Sequence, residues 1–262
     1  MAASHPVSLA LQQAAAELSH AVQGLSFAPP VTHVYNPLEY ARSCHLAYLE
    51  RYGQGRKRVL FWGMNPGPYG MAQTGVPFGE IASVRDFLGL EQPVGAPLSP
   101  HPARPVLGFA CPRSEVSGRR WWGAIARAFG DADAFFEDHL VLNYCPLMFL
   151  EASGRNRTPD QLPVRERAPL LAVCDRHMRR VVELLEPAWV IGVGHFAEAR
   201  ARHALAGMAL GIGRVSHPSP ASPAANRGWE ALFLEELAAL GLSPAAAAHQ
   251  PVRKLSSGPT TS

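Results

Sequence analysis

Three segments of the sequence carry the polar groups best suited to chemistry, and each directly follows or ends an apolar run. The stretch "GMNPGPYGMAQTGVPFGE" (63–80) holds Asn65 among glycines and prolines, Asn143 ends the run "HLVLN", and His217 stands in "SHPSP". A carboxamide offers one hydrogen-bond acceptor and two donors, and a neutral imidazole offers one of each. Such groups can orient a polar ligand and stabilise charge that develops on it. The segments therefore predict one site, if the fold brings them together.

Four apolar runs are predicted to be the strands that position these groups. Each is apolar nearly throughout, which is typical of strands buried on both faces. Helical patterns lie between them, and strands alternating with helices predict an α/β fold with a mostly parallel sheet. The predicted strands are 58–63, 139–145, 188–194 and 212–216, and the predicted helices are 8–24, 38–52, 81–89, 118–129, 164–186, 195–206 and 226–240.

Two further segments are predicted to be loops. The stretch "SFAPPVTHVYNP" (26–37) separates the first two helices and is interrupted by prolines. The stretch 89–118 is long, rich in proline and without periodicity. A loop of that length inside a compact domain is more often functional than idle.

The polar groups all fall at the carboxyl ends of the predicted strands. Ligands of open parallel sheets bind beyond those ends, so the loop 63–79, Asn143, the segment 192–195 and His217 are expected to share one crevice. Each element taken alone also fits a simpler interpretation: a tight turn, a satisfied core amide, or a histidine that bonds a backbone carbonyl. Their coincidence at one sheet edge favours a functional site.

Composition sets wider limits on the class of protein. The 262 residues are 47% hydrophobic and 17% charged, which indicates one sizeable α/β domain. No apolar stretch is long enough for a membrane span, and the N-terminal segment lacks the basic region of a signal peptide. The net charge of +3 is weak evidence for a nucleic-acid partner. The four cysteines lie far apart, so we expect free thiols, no metal site and no cofactor; they are Cys44, Cys111, Cys145 and Cys174.

A family resemblance emerges from four stretches taken in order. "GMNPGPYGMAQTGVPFGE", "NYCPLMFL", "SGRNRTP" and "HPSPASPAANRGWE" resemble the single-strand-selective monofunctional uracil-DNA glycosylases, a branch of the uracil-DNA glycosylase superfamily. The resemblance implies a three-layer α/β/α sandwich with a central four-stranded, mostly parallel sheet. It also implies hydrolysis of the N-glycosidic bond of uracil, and of oxidised 5-substituted uracils such as 5-hydroxymethyluracil, leaving an abasic site in DNA.

The resemblance assigns roles to individual residues of the site. Asn65 matches the residue that orients the attacking water, and His217 matches the residue that stabilises the uracil O2. Asn143 matches the residue that reads the base edge, and Phe78 matches the aromatic residue that stacks on the base. The pocket wall is predicted to comprise Met64, Gly67 and Met71; glycine at 67 is expected to leave room beside the C5 atom of uracil. Phe78 and the two methionines also fit a purely structural place in the core.

Contacts with DNA are predicted in the loop after the last strand and in nearby arginines. The loop residues are Ser219, Pro220, Ala221 and Ser222, and the arginines are Arg119, Arg120 and Arg155. Better-known animal members of the family carry an arginine just after "HPSP", whereas this chain has Ala221 there. We therefore expect activity on both single- and double-stranded DNA, with weaker activity on duplexes. The neighbouring Trp121 and Trp122 are expected to lie in the core.

The sequence divides into three predicted parts. Residues 1–30 are predicted to be an N-terminal helix and linker, 31–242 the catalytic domain, and 243–262 a disordered tail. We expect a monomer whose partner is uracil-containing DNA, with no membrane association, cytoplasmic in a bacterium or nuclear in a eukaryote.

Two other functions also fit the sequence. A mismatch-type uracil/thymine glycosylase has a similar "NPG" loop and would require a duplex. A non-catalytic protein that binds single strands or abasic sites would keep the fold without needing Asn65 and His217 together. A dinucleotide-binding module is the weakest alternative, because the glycines of 63–70 do not have the spacing of that fingerprint.

Overall fold

The four predicted strands form one parallel sheet in the computed structural model, which describes residues 6–223 and 225–242. The strand order is β3-β2-β6-β7, so the first of the four along the chain, β2, lies inside the sheet. This confirms the predicted four-stranded α/β sheet. Its strands are β2 (Val59–Gly63), β3 (His139–Asn143), β6 (Trp189–Val193) and β7 (Gly211–Val215).

The register between β2 and β3 brings two predicted site segments side by side. All five residues of β2 are buried, as expected for a strand covered on both faces. Val59 pairs with His139 at one end of the ladder, and Gly63 pairs with Asn143 at the other. The loop that follows Gly63 therefore starts directly beside Asn143.

Helices cover both faces of the sheet, as the alternation of Phe61 and Trp62 demonstrates. The ring of Phe61 packs against Trp121 and Phe233, whereas Trp62 faces His177 on the opposite side. The arrangement is the expected three-layer α/β/α sandwich. The α-helices are α1 (Pro6–Gln23), α2 (Pro37–Tyr40), α3 (Arg42–Tyr52), α4 (Met71–Thr74), α5 (Val116–Phe129), α6 (Ala132–Asp138), α7 (Val164–Leu185), α8 (His195–Ala204) and α9 (Trp229–Ala239).

A second, antiparallel sheet was not anticipated. It has the order β1-β4-β5, and its strands are β1 (Val31–Tyr35), β4 (Met148–Glu151) and β5 (Asn156–Arg157). The expectation that 26–37 is wholly a loop was wrong, because β1 forms within it. The prolines flank the strand rather than interrupt it, and its partner β4 lies more than 100 residues away in the sequence.

The N-terminal helix packs against the rest of the described chain. Helix α1 contacts α3 and α7, and its Leu11, Leu18 and Val22 belong to the main hydrophobic core. The division at residue 30 stays a prediction, and the tail predicted at 243–262 lies outside the described residues. Among the described helices, none is both long and apolar enough to cross a bilayer.

Three enclosed histidines predict an acid-sensitive fold. Burial lowers the pKa of His45, His177 and His217 to about 4, against about 6.5 in an unfolded chain. Between those values the unfolded state binds more protons, so stability falls as the pH falls, by at most about 1.4 kcal/mol per unit for each histidine. We expect the urea midpoint to be clearly lower at pH 5 than at pH 7.5.

The variant His45→Asn tests this origin. Its amide can still donate to the Gly75 carbonyl that the imidazole contacts at 2.8 Å, so the fold should persist while the pH dependence shrinks. His20→Asn, at an exposed position, should leave the dependence as in the parent. Equal midpoints for the parent at the two pH values would contradict the prediction.

Candidate active site

One cavity at the carboxyl ends of the parallel strands collects most of the predicted catalytic and base-binding residues. Its volume is about 350 Å³. Loop 63–80 supplies one wall, β3 and the second sheet supply others, and the segment after β7 closes it. The lining residues are Met64, Asn65, Pro66, Gly67, Phe78, Glu115, Ser117, Asn143, Asn156, Thr158, His217 and Ser219.

The amide of Asn65 is oriented by the backbone. Its Nδ2 donates to the carbonyl of Leu147 at 3.2 Å, which leaves Oδ1 as a free acceptor. The loop itself is held against the chain after β3, because Tyr144 N donates to Gly63 O (3.0 Å) and Cys145 N donates to Met64 O (2.9 Å). Asn65 therefore presents a fixed acceptor at the cavity wall.

His217 is a neutral imidazole with a defined tautomer. The backbone N–H of Ser219 donates to Nδ1 at 3.1 Å, so Nδ1 must be the acceptor and Nε2 carries the proton. Burial lowers the pKa of His217 to about 4, which keeps the ring uncharged at neutral pH. The site thus contains an N–H donor without a permanent positive charge.

Asn143 occupies space that only a glycine at position 63 leaves open. A Cβ on Gly63 would lie 2.3 Å from Oδ1 of Asn143 and 3.0 Å from the ring of Phe78. Nδ2 of Asn143 donates to the Met71 sulfur at 3.1 Å, a weak acceptor that steadies one N–H and leaves the other available. Met71 is buried behind this amide and is not among the residues that line the cavity, so its predicted role in binding the base stays a prediction.

Phe78 presents one ring face to the cavity. The other face stacks on Trp121, with centroids 4.9 Å apart and planes 15° apart. Phe78 has a φ of 51°, unusual for a bulky residue, and its carbonyl accepts from Trp122 Nε1 at 3.0 Å. Both tryptophans are almost fully buried, as expected. They fix the backbone and the ring of Phe78 together.

Glu115 is a cavity residue that the sequence did not reveal. Its carboxyl group occupies the space that side chains at positions 67 and 70 would need. A Cβ added to Gly67 would lie 1.7 Å from Oε1 of Glu115, and a Cβ added to Gly70 would lie 1.9 Å from Oε2. The free space expected beside Gly67 is therefore bounded by a carboxyl group. Burial, with the nearby charge of Glu80, raises the pKa of Glu115 to about 7. The only feature of the sequence that pointed to Glu115 was its position in the long loop 89–118, which was expected to be functional.

The predicted DNA-contacting residues occupy different environments. Ser219 lines the cavity, Pro220 and Ala221 are exposed, and Ser222 is partly exposed. The side chains of Arg119 and Arg155 are exposed at the surface.

Arg120 differs from the other two arginines. It donates to the Pro218 carbonyl and to Asn226 Oδ1, both at 3.0 Å. This guanidinium therefore braces the loop after β7, and its predicted contact with the DNA backbone stays a prediction.

Fold and site together define a class, the uracil DNA glycosylase superfamily, whose family model matches residues 50–238. Single-strand selective monofunctional uracil DNA glycosylases from Bos taurus and Mus musculus are each 53% identical over 87% of this chain, covering 84% and 81% of their own lengths. This chain therefore belongs to the single-strand-selective monofunctional uracil-DNA glycosylase family. The crystal structure of Pedobacter heparinus SMUG2 has a similar fold, with a TM-score of 0.60 over 87% of this chain and 97% of that one, at 17% identity.

The carboxyl of Glu115 predicts a stability that declines with rising pH. Its pKa of about 7 lies above its usual value of 4.5, so the folded state holds a proton that the unfolded state has lost between these values. The cost of ionisation in the fold grows as the pH rises through 7. Glu115→Gln should therefore stabilise the protein more at pH 8.5 than at pH 5, by up to about 3 kcal/mol.

Urea midpoints of parent and variant at both pH values measure this difference. Glu91→Gln, at an exposed position, removes the same charge and should produce no pH-dependent gain. If the urea midpoints of Glu115→Gln and the parent differed by the same amount at both pH values, ionisation of the Glu115 carboxyl would not be the cause of the difference in stability.

Proposed function

We propose that this protein hydrolyses the N-glycosidic bond of uracil in single-stranded DNA, and more weakly in duplex DNA, leaving an abasic site. The supporting observation is the meeting of two oriented amides, a neutral imidazole N–H and an open aromatic face in one cavity. A base within a duplex must be flipped out to enter such a cavity. Membership of the glycosylase family supports the same reaction.

Recognition of uracil requires a donor and an acceptor in fixed positions. In the proposal, Oδ1 of Asn143 accepts from N3–H of uracil, and the N–H that does not bind the Met71 sulfur donates to O4. Cytosine presents the opposite pattern, which leaves buried polar groups unpaired. The exposed face of Phe78 stacks on the ring of the flipped base.

Departure of uracil is assisted by His217. As the glycosidic bond breaks, electrons move to the base and negative charge grows on O2. The Nε2–H of a neutral imidazole strengthens its hydrogen bond as that charge appears, so it stabilises the transition state more than the ground state. The sugar becomes oxocarbenium-like, as in other glycosyl transfers.

Water addition follows on the sugar. Asn65 has no pKa that would make it a general base near neutral pH, so its Oδ1 orients a water molecule. The cation is electrophilic enough to accept that water without prior deprotonation, which makes the reaction dissociative. The expected consequence is a slow but selective enzyme.

The proposal extends to uracils with a polar substituent at C5, such as 5-hydroxymethyluracil. We place the C5 edge toward Gly67, where the Glu115 carboxyl is the nearest polar group. A hydroxyl there gains a hydrogen-bond partner, whereas the methyl group of thymine does not.

Single substitutions at Asn65 and His217 test the reaction. Single-stranded and duplex DNA containing U, 5-hydroxymethyluracil, T or C is offered to the parent, Asn65→Ala and His217→Leu, with a chelator present. Each variant should lose at least about 100-fold in the rate of base release, by analogy with removal of one oxyanion donor, while still binding the DNA. His20→Leu, at an exposed position, should match the parent.

Each contrary result has a distinct meaning. Binding by the parent without any alkali-labile product would replace the proposal with a non-catalytic DNA-binding protein. Release of T or U only from mismatched duplexes would indicate the mismatch-type alternative. Undiminished activity in both variants would refute the residue roles.

Gly63→Ala tests the placement of the base-reading amide without touching it. The added methyl would displace Asn143 Oδ1 and press on Phe78, so kcat/KM for uracil should fall at least about 10-fold, as expected when a reading contact is misplaced. Gly24→Ala is the control, because a Cβ there meets nothing within 4 Å. Full activity in Gly63→Ala would show that the position of Asn143 is not critical.

A further inference from the structure

Two arginines outside the predicted DNA contacts converge on one tyrosine. Nη1 of Arg104 donates to the Tyr69 hydroxyl at 2.9 Å, and Nη1 of Arg113 donates to the same oxygen at 2.6 Å. Both guanidinium groups also lie against the ring, at 5.6 and 4.2 Å from its centroid. We call these three side chains the Tyr69 cluster.

Neither arginine of the Tyr69 cluster forms an ion pair in the described part of the chain. Ion pairs within residues 6–223 and 225–242 do not include Arg104 or Arg113. By contrast, half-buried Arg157 and Arg200 each bind a carboxylate. Guanidinium groups do not lose their protons in proteins, so two like charges meet here around the side chain of Tyr69.

Arg104 also retains an unused donor. Its Nε is buried and has no hydrogen-bond acceptor among the described residues, although its Nη1 binds Tyr69 and the Ala103 carbonyl. Buried N–H groups are normally paired, and an orphaned one calls for a missing partner. A charge-matched partner for this cluster is an anion.

The cluster lies beside the cavity rim. Tyr69 stands between Gly67 and Gly70, the two glycines that pack on the Glu115 carboxyl, and Arg113 is two residues before Glu115. A Cβ added to Gly154 would lie 3.5 Å from Cγ of Arg104, so Gly154 packs against this side chain. The next residue, Arg155, is exposed. An anion held here would be close to a base in the cavity.

We propose that the Tyr69 cluster binds a backbone phosphodiester of the DNA strand that carries the excised base. The inference rests on the proposed function, because it adds a backbone contact to that substrate. Planar guanidinium forks match two phosphate oxygens, and the tyrosine holds the forks in place. The loop 219–222 offers no cationic side chain, and Arg120 donates to the Pro218 carbonyl, so the Tyr69 cluster would supply the cationic contact that this loop lacks.

The first test removes the charges. Arg113→Gln and the double variant Arg104→Gln/Arg113→Gln are compared with the parent for binding to uracil-containing single-stranded DNA over a range of salt concentrations. The double variant should bind at least 10-fold more weakly at low salt, and its salt slope should fall by about 0.7 for each lost phosphate contact. The single-turnover rate at saturating DNA should stay within about 3-fold of the parent, with the loss confined to KM.

A matched control removes two charges at the opposite edge of the sheet. Arg56 and Arg58 precede β2 at its amino end and pair with Glu186 and Asp138. Arg56→Gln/Arg58→Gln should leave affinity and salt slope close to those of the parent. If both double variants lost the same affinity for DNA, the loss would be due to net charge alone and the proposal would be overturned.

The second test locates the phosphate. Oligonucleotides carry a single neutral methylphosphonate at each linkage flanking uracil. At one linkage the neutral group should weaken binding of the parent at least 5-fold but weaken binding of Arg113→Gln clearly less, because that variant has already lost one of the two guanidinium contacts. Losses that add independently at every linkage would overturn the proposal.

Inorganic phosphate separates a free-anion site from a DNA site. If it stabilises the parent against heat but not Arg113→Gln, and DNA binding is equal in the two proteins, the cluster binds free phosphate and the proposal is wrong. Failure of the parent to release uracil would instead refute the proposed function, which the binding tests do not require. Arg113 is exposed, so its single variant keeps the test valid if the double variant does not fold.

Discussion

The absence of a side chain at Gly63 is the constraint on which the site depends. The last residue of β2 lies in register with Asn143, and the space of a Cβ there is taken by the Asn143 amide and the edge of Phe78. These two groups come from the neighbouring strand and from the far end of the loop. One missing methyl group therefore allows three parts of the chain to close around a single cavity.

The groups that face the cavity keep its chemistry almost free of permanent charge. Asn65 and Asn143 provide uncharged amides, and burial keeps the His217 imidazole neutral. A buried charge without a partner is costly, and a fixed positive charge would bind an anion before the reaction as well as during it. Neutral dipoles gain most when charge appears in the transition state. This explains why the same burial that lowers the pKa of His217 also suits a reaction with a departing anion.

The sequence predicted those parts of the fold that rest on local pattern. The buried strands β2, β3, β6 and β7 are apolar runs, and their order along the chain placed Asn65, Asn143 and His217 at one edge. Strand β1 was missed because its pairing with β4 depends on a distant segment. The sequence also leaves the orientation of Met71 undetermined, because a single helical turn decides whether its sulfur faces the cavity or supports Asn143 from behind.

Glu115 marks the limit of inference from motifs. Its position is set by contact with Gly67 and Gly70, more than 40 residues earlier, and neither glycine reveals whether a ligand or a protein group fills the space it leaves. Burial raises the pKa of this carboxyl to about 7. The acidic group that lines the cavity is therefore partly uncharged at neutral pH. Permanent charge is instead concentrated outside, where Arg113 is exposed and Arg104 half-buried. In the proposed reaction, a polyanionic strand and a base that becomes anionic need opposite treatment: the strand is attracted before the reaction, whereas the base is stabilised only as its bond breaks. Separating the cations of the rim from the dipoles of the interior satisfies both demands in one cavity.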